Sequence, residues 1–191
     1  MKFEAKEVFR PAIMLCVICL VVTALLAGTN LMTKDIIAQQ TLAAEEASRK
    51  VVLPDAESFE EKSISAQDGE VSYYEAISSN GETVGWVFVT SAKGYGGDVS
   101  VMTGINTDGY VNGVVILSQN ETPGLGANAT NESFRSQYQQ AAPESGFSVI
   151  KSGAPTDGQI SALTGATITS NAVTDAVNEA ISVYQTVKEA L

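Results

Sequence analysis

The spacing of apolar and polar positions divides the chain into three stretches. Residues 11–28, PAIMLCVICLVVTALLAG, hold no charged side chain, and the uncharged run continues through TNLMT to Thr33. About 20 helical residues at ~1.5 Å each cross the hydrocarbon core of a bilayer, so residues 11–33 predict a transmembrane helix. A cleaved signal peptide, the competing reading, needs an apolar region of only about 7–15 residues. The next stretch, KDIIAQQTLAAEEASRKVV, sets Ile36, Ile37, Leu42 and Ala43 among helix-forming polar residues and continues as helix until Pro54. Residues 34–67 therefore read as a solvated helical stalk and linker.

From residue 68 the pattern turns strand-like. EVSYYEAIS (70–78) and GETVGWVFVTSA (81–92) are rich in aromatic and β-branched residues, with SNG between them as a turn. GYGGDVSVMTGI (94–105) and GYVNGVVIL (109–117) form a second pair joined through NTDG (106–109). NESFRSQYQQAA (131–142) predicts a short helix, FSVIK (147–151) a strand, and residues 171–190 a long helix. In that helix Val173, Ala176, Val177, Ala180, Ile181, Tyr184 and Val187 share one face, which must be buried. The expected fold class is α+β: an antiparallel sheet with helices on one face, occupying residues 68–191 and preceded by one N-terminal transmembrane helix.

Charge then orients the chain and removes one class of function. The formal net charge is −11, yet the first ten residues carry three basic side chains (Lys2, Lys6, Arg10) against Glu4 and Glu7, leaving −12 to the rest. A surface that acidic, with no basic cluster, repels phosphate backbones and excludes nucleic acid as a partner. Lys34, Arg49 and Lys50 beyond the apolar run weaken the asymmetry, but the basic start still predicts residues 1–10 in the cytoplasm. The domain is then expected on the extracytoplasmic side of the cell membrane, tethered among its lipids.

The chemistry available is sparse. The chain has no histidine, so Ser-His-Asp catalysis is excluded and the commonest metal ligand is missing. Both cysteines, Cys16 and Cys19, lie inside the apolar run, where they read as small residues of a membrane helix or as half of a cluster shared with another chain. The exported part therefore has no thiol, imidazole or disulfide, and demanding chemistry there must come from a cofactor. Three glycine-containing stretches are candidate ligand loops as well as ordinary turns: KGYGGD (93–98), ETPGLGANAT (121–130) and LTGATITS (163–170). Neither nucleotide-binding glycine motif is present. Thr169 or Ser170 is expected to cap the last helix, placing TGAT before a helix N-terminus where free N–H groups favour an anion such as phosphate. Lys151 could add a charge-assisted hydrogen bond or be a plain solvated lysine.

These stretches, GYGGDVSVMTGINTDGYVNGVVILSQNETPGLGA followed by ISALTGATITSNAVTDAVNEAI, resemble the covalent-FMN-binding domain shared by RnfG, of the Rnf complex, and NqrC, of the Na+-translocating NADH:quinone reductase. The resemblance runs from about residue 70 to the C-terminus, and the single N-terminal span agrees with it. In that family a flavin transferase uses FAD to attach FMN through its phosphate to the last threonine of an S/T-G-A-T motif. The resemblance thus implies one covalent FMN on Thr167, with Thr164, Gly165 and Ala166 completing the motif; the helix start near Ser170 and the charge of Lys151 are the features expected to meet its phosphate on physical grounds. It also implies that the flavin ring rests against Glu121, Thr122, Gly124, Leu125 and Tyr95. Many members carry an acidic residue where this chain has Ser161.

The short chain favours the Rnf-type protein. This implies an electron relay among other membrane subunits of a complex that passes electrons between ferredoxin and NAD+ while moving Na+ or H+. Thr167 would be an attachment point, so the chain alone should catalyse nothing. Two other readings remain: a freestanding extracellular flavin shuttle, and a tethered binding module without cofactor.

Overall fold

The computed structural model describes residues 5–66 and 69–190. Lys2 and Glu4 of the predicted cytoplasmic segment, Gln67 and Asp68 at the predicted domain boundary, and Leu191 lie outside the described residues. The chain separates into two compact units, Met1–Ala44 and Glu45–Leu191.

The first unit consists of helix, the opening part of α1 (Ala5–Val52). Its large apolar side chains, from Phe9 through Leu26 to Leu42, are exposed, and over the uncharged residues 11–33 they follow one another too closely to be confined to one face of the helix. It is long and apolar enough to cross a membrane. Two hydroxyls within the run are satisfied internally: Thr29 Oγ1 donates to Leu25 O at 2.8 Å and Thr33 Oγ1 to Thr29 O at 2.9 Å. The apolar run and the predicted stalk are one continuous helix. It ends at Val52, because the residue preceding Pro54 is disfavoured in helical conformation.

The second unit is built on a five-stranded antiparallel meander in the order β1-β2-β3-β4-β5. Its strands are β1 (Ser58–Ala66), β2 (Gly69–Ile77), β3 (Thr83–Lys93), β4 (Asp98–Asn106) and β5 (Val111–Ser118). The four strands expected from the two hairpins are present. β1 is an addition, in a segment read as linker. Its charges, Glu60, Glu61 and Lys62, are those of an exposed sheet edge and mask the strand signal.

The chain then runs through a 3-10 turn (Gly126–Thr130), the single-turn helix α2 (Glu132–Arg135) and a second 3-10 turn (Ser136–Tyr138). This segment is less regular than the helix expected over 131–142, and it covers the β5 edge. Arg135 Nη1 donates to Val114 O at 3.1 Å, and Val111 N–H donates to Gln140 O at 3.0 Å. Two short parallel strands, β6 (Ser148–Ile150) and β7 (Gln159–Ser161), precede the closing helix α3 (Thr167–Ala190).

α3 covers one face of the sheet. Val173, Ala176, Val177, Ala180 and Ile181 pack with Trp86, Phe88, Val101 and Ile105 in the main core, and Thr90 Oγ1 donates to Ala176 O at 2.7 Å. The expectation that helices cover only one face is corrected here. The end of α1 covers the other, where Val52 and Leu53 form a second core with Ala56, Ala76, Val87 and Met102. Gly104 makes this possible, since a Cβ on it would stand 2.7 Å from Val52 O. Arg49, one turn earlier, places its guanidinium 3.7 Å from the centre of the Tyr74 ring.

At the β1 side of the main core, Glu75 is buried and forms an ion pair with Lys62, while Thr83 Oγ1 donates to Glu75 Oε1 at 2.7 Å. The hydrogen bonds from Lys62 and Thr83 hold the Glu75 carboxyl below its ordinary value of 4.5, and the Glu75 bond raises Lys62 above its own 10.5. A carboxyl whose pKa falls on folding adds stability above its unfolded value and loses it as pH drops toward the folded one. Lys62 is 45% exposed, so solvent screening limits the pair to roughly 0.2–1 kcal/mol. Thermal melts between pH 7 and pH 3 should show a smaller acid-induced fall in Glu75→Gln than in the wild type. Identical pH slopes would contradict this pairing.

Candidate functional site

Three backbone segments converge at one end of the second unit: the β3–β4 turn at 94–97, the segment after β5 beginning at Gln119, and the first turn of α3. The β3–β4 turn is closed by Gly94 N–H donating to Gly97 O at 2.8 Å. The 122–128 segment is held by Leu125 and Ala127 N–H donating to Thr122 O at 3.1 and 3.2 Å. Asn128 Nδ2 adds a bond to Gly124 O at 2.9 Å. Between these walls lies an open cleft of about 540 Å³, lined by Tyr95, Glu121, Thr122, Leu125 and Gly126 on one side and by Gly165 to Thr169 on the other. That volume falls in the range of small-molecule sites, about 300–1,000 Å³.

Glu121 ties the walls together. Its Oε1 accepts from Gly96 N–H at 2.9 Å, and its Oε2 accepts from Thr169 Oγ1 at 2.6 Å. Gly126 is required beside it: a Cβ there would meet Thr169 Oγ1 at 2.5 Å and Glu121 Oε2 at 2.7 Å. The rim is apolar and exposed, with Tyr95 73%, Ile168 55% and Leu125 44% accessible. Among the lining residues there is no lysine or arginine, so an anion entering the cleft would be met by backbone N–H groups.

The four hydroxyls of LTGATITS have different fates. Thr169 and Ser170 do not cap a helix starting at 171, as expected from the residues; α3 begins at Thr167 and both lie in its first turn. The Ser170 hydroxyl accepts from Leu163 N–H at 2.9 Å and donates to Ala166 O at 3.0 Å, folding the 163–166 turn onto the helix. Thr169 is committed to Glu121. Thr164 is exposed and outside the cleft. Thr167 is half-buried, lines the cleft, and among the described residues its hydroxyl has no hydrogen-bond partner. The N–H groups of Thr167, Ile168 and Thr169 have no intrahelical acceptor, and Ser170 N–H makes the first bond of the helix, to Ala166 O at 3.0 Å.

Of the other residues singled out in the sequence, Tyr95, Glu121, Thr122, Leu125, Gly165 and Ala166 line the cleft together with Thr167. Gly124 shapes the adjoining turn, with φ +78°. Lys151 is exposed in the bend after β6 and does not line the cleft. Gly126, Ile168 and Thr169 line it and were not anticipated, although all three lie within the glycine-containing stretches.

The sequence pattern of the FMN-binding domain matches residues 94–182, which span every wall of the cleft, and that of the RnfG N-terminal region matches residues 1–52. The G-type subunit of the Na+-translocating ferredoxin:NAD+ oxidoreductase complex of Acetobacterium woodii is 37% identical, over 96% of this chain and 95% of its own. The chain belongs to the RnfG family. The RnfG relationship extends to the G-type subunit of the proton-translocating complex of Clostridium ljungdahlii, 33% identical over 93% of this chain and 92% of that one. The family expected from the glycine stretches and the threonine motif is therefore the one found.

Crystal structures of NqrC, the C-type subunit of Na+-translocating NADH-quinone reductase, share the fold of this chain. That from Parabacteroides distasonis has a TM-score of 0.52 at 23% identity, covering 61% of this chain and 62% of its own. That from Shewanella oneidensis has a TM-score of 0.52 at 22% identity, covering 68% and 65%. The α+β fold class is that of these structures. Ser161 lies in β7, and its N–H donates to Gln137 Oε1 at 2.7 Å.

Proposed function

We propose that the chain is the FMN-carrying subunit of an Rnf-type ion-translocating ferredoxin:NAD+ oxidoreductase complex, holding one FMN covalently through a phosphoester on Thr167. The observation that carries this reading is the state of the Thr167 hydroxyl: unpartnered among the described residues, on the cleft wall, and at the first residue of a helix. A phosphodiester keeps one negative charge, which a helix N-terminus stabilises by ~0.3–1 kcal/mol. Tyr95, Leu125 and Ile168 offer an apolar rim suited to a planar heteroaromatic ring, and the turn at 122–126 lets backbone approach it. When bound, FMN supplies one- and two-electron transfer, which no side chain of the cleft provides.

Attachment balances as transfer from FAD by a flavin transferase. Thr167 Oγ forms a bond to the FMN phosphorus, the pyrophosphate bond breaks, AMP leaves, and the hydroxyl proton passes to a base of the transferase. A covalent tether suits a domain outside the cytoplasm, where a dissociated flavin would be lost. The basic start of the chain favours an N-terminus in the cytoplasm, with α1 among the lipids of the cell membrane and the domain on the far side. Electron partners are then the other membrane subunits of the complex.

Protein from its native host, run on a denaturing gel and illuminated in the ultraviolet, should fluoresce in the band, and gentle solubilisation should recover it with further subunits. A dark band would leave a cofactor-free binding module as the better reading. A fluorescent lone polypeptide would favour a freestanding shuttle.

A further inference from the structure

Glu121 lines the cleft, but its carboxylate also faces inward, at the point where the three walls meet. The side chain is 6% exposed in an otherwise open cleft. Both oxygens are used, one on Gly96 N–H of the β3–β4 turn and one on the Thr169 hydroxyl of α3, and Glu121 N–H donates to Gln119 Oε1 at 2.6 Å. The surroundings leave no slack: a Cβ on Gly94 would stand 2.4 Å from Oε1, and one on Gly126 2.7 Å from Oε2. Burying a carboxylate is costly unless donors satisfy it. Apolar packing could close a wall here, but only a forked polar group, with one polar atom for each partner and an acceptor facing Gly96, joins a backbone N–H on one side to a hydroxyl on the other. Thr169 stands two residues after Thr167 in the same helical turn, so a bond that anchors Thr169 anchors the backbone from which Thr167 projects at the cleft wall.

Resting on the reading of Thr167 above, we infer that Glu121 is a positioning residue for flavin attachment: it bridges Gly96 N–H and Thr169 Oγ1 and so presents Thr167 to the transferase and FAD. The reaction it serves is the transfer already balanced, from the FMN phosphorus of FAD to Thr167 Oγ with AMP leaving. Glu121 takes no proton in it and touches no reacting atom.

The test uses unmodified full-length protein, purified transferase and FAD. The initial rate of flavin incorporation is measured for the wild type and for Glu121→Ala, Glu121→Gln, Thr169→Val and the Glu121→Ala/Thr169→Val double variant. Fluorescence of Trp86 follows folding. Loss of the hydrogen bonds to a charged acceptor should slow Glu121→Ala about tenfold or more. Glu121→Gln keeps an acceptor for Gly96 and can still bond Thr169 with its amide, so it should stay within about threefold of the wild type. Thr169→Val should slow incorporation several-fold, and the double variant should be no slower than Glu121→Ala alone, because both remove one linkage.

An incorporation rate in Glu121→Ala within twofold of the wild type would overturn the inference. So would effects that multiply in the double variant, or a Glu121→Gln rate as low as that of Glu121→Ala. If Glu121→Ala does not fold, Thr169→Val decides alone, and a wild-type rate there overturns it. Failure of the wild type to take up flavin would instead strike the proposed function, so the two failures are distinguishable.

Discussion

Thr167→Val should produce a protein that folds normally and carries no covalent flavin at all. The substitution is nearly isosteric, and the hydroxyl it removes has no hydrogen-bond partner among the described residues. Thr167 is half-buried at a helix start, so the cost to stability should stay within about 0.5 kcal/mol. The effect on attachment is absolute, because no other atom at that place can form the phosphoester. Thr164→Ala makes the contrast. Thr164 is exposed and off the cleft wall, so its loss should weaken recognition by the transferase without moving the adduct. In-gel fluorescence gives the amount of flavin, and peptide mass mapping over residues 152–188 gives its position. An adduct on Thr164 or Thr169 in the wild type, or fluorescence surviving in Thr167→Val, would refute the assignment.

Much of this cleft was legible in the sequence because its walls are local. LTGAT, ETPGLG and GYGG each keep their residues within a few positions of one another, and glycine content flags where backbone must turn or come close. The link that binds them was less legible. Glu121 and Thr169 are distant in sequence, and nothing in ETPGLG or TITS alone indicates that a carboxylate and a hydroxyl will meet. Thr169 and Ser170 looked like caps because hydroxyl residues before an apolar-periodic run usually are. Both instead sit inside the first turn, since their hydroxyls are drawn to Glu121 and to Leu163 N–H. Lys151 is suggested by its place after a strand, but it stands exposed in the bend that follows β6, away from the cleft lining.

The fold shows the same division. Strands β2 to β5 announce themselves by aromatic and β-branched residues. α3 does so by its repeat of small and branched apolar positions. β1 hides behind the charges of an edge strand. The covering of both sheet faces is also written in the chain. VGWVFV in β3 has no polar alternation, and Gly85 through Phe88 are buried consecutively, the mark of a strand shielded on both sides. The second cover comes from the end of α1, whose role in the core is invisible when a helix is judged by its amphipathicity alone. Only Val52, its last residue, is buried there, together with Leu53 and Ala56 just beyond.

That second cover makes Gly104→Val the substitution expected to cost most stability. Gly104 pairs with Gly113 on β5, and on the sheet face away from α3 it lies under the end of α1. A Cβ there would come 2.7 Å from Val52 O and 2.9 Å from Val52 C, inside contact distance of backbone that cannot rotate away. Either the sheet buckles or the helix end lifts. Overpacking of this kind costs about 1–3 kcal/mol. Lifting also re-exposes Val52 and Leu53, each worth about 1.5–3 kcal/mol when fully buried. A loss of about 3 kcal/mol is expected, which for a domain of this size lowers the melting temperature by roughly 6–12 °C. Trp86, the only tryptophan in the chain, is nearly buried on β3 and reports the transition by fluorescence. Gly104→Ala should show the same defect in smaller degree. Adding Val52→Ala should not restore it, because the nearest obstacles are Val52's carbonyl oxygen, carbonyl carbon and Cβ, all of which alanine keeps. Recovery in that double variant would mean that side-chain crowding, rather than the approach of one backbone to another, sets the requirement for glycine.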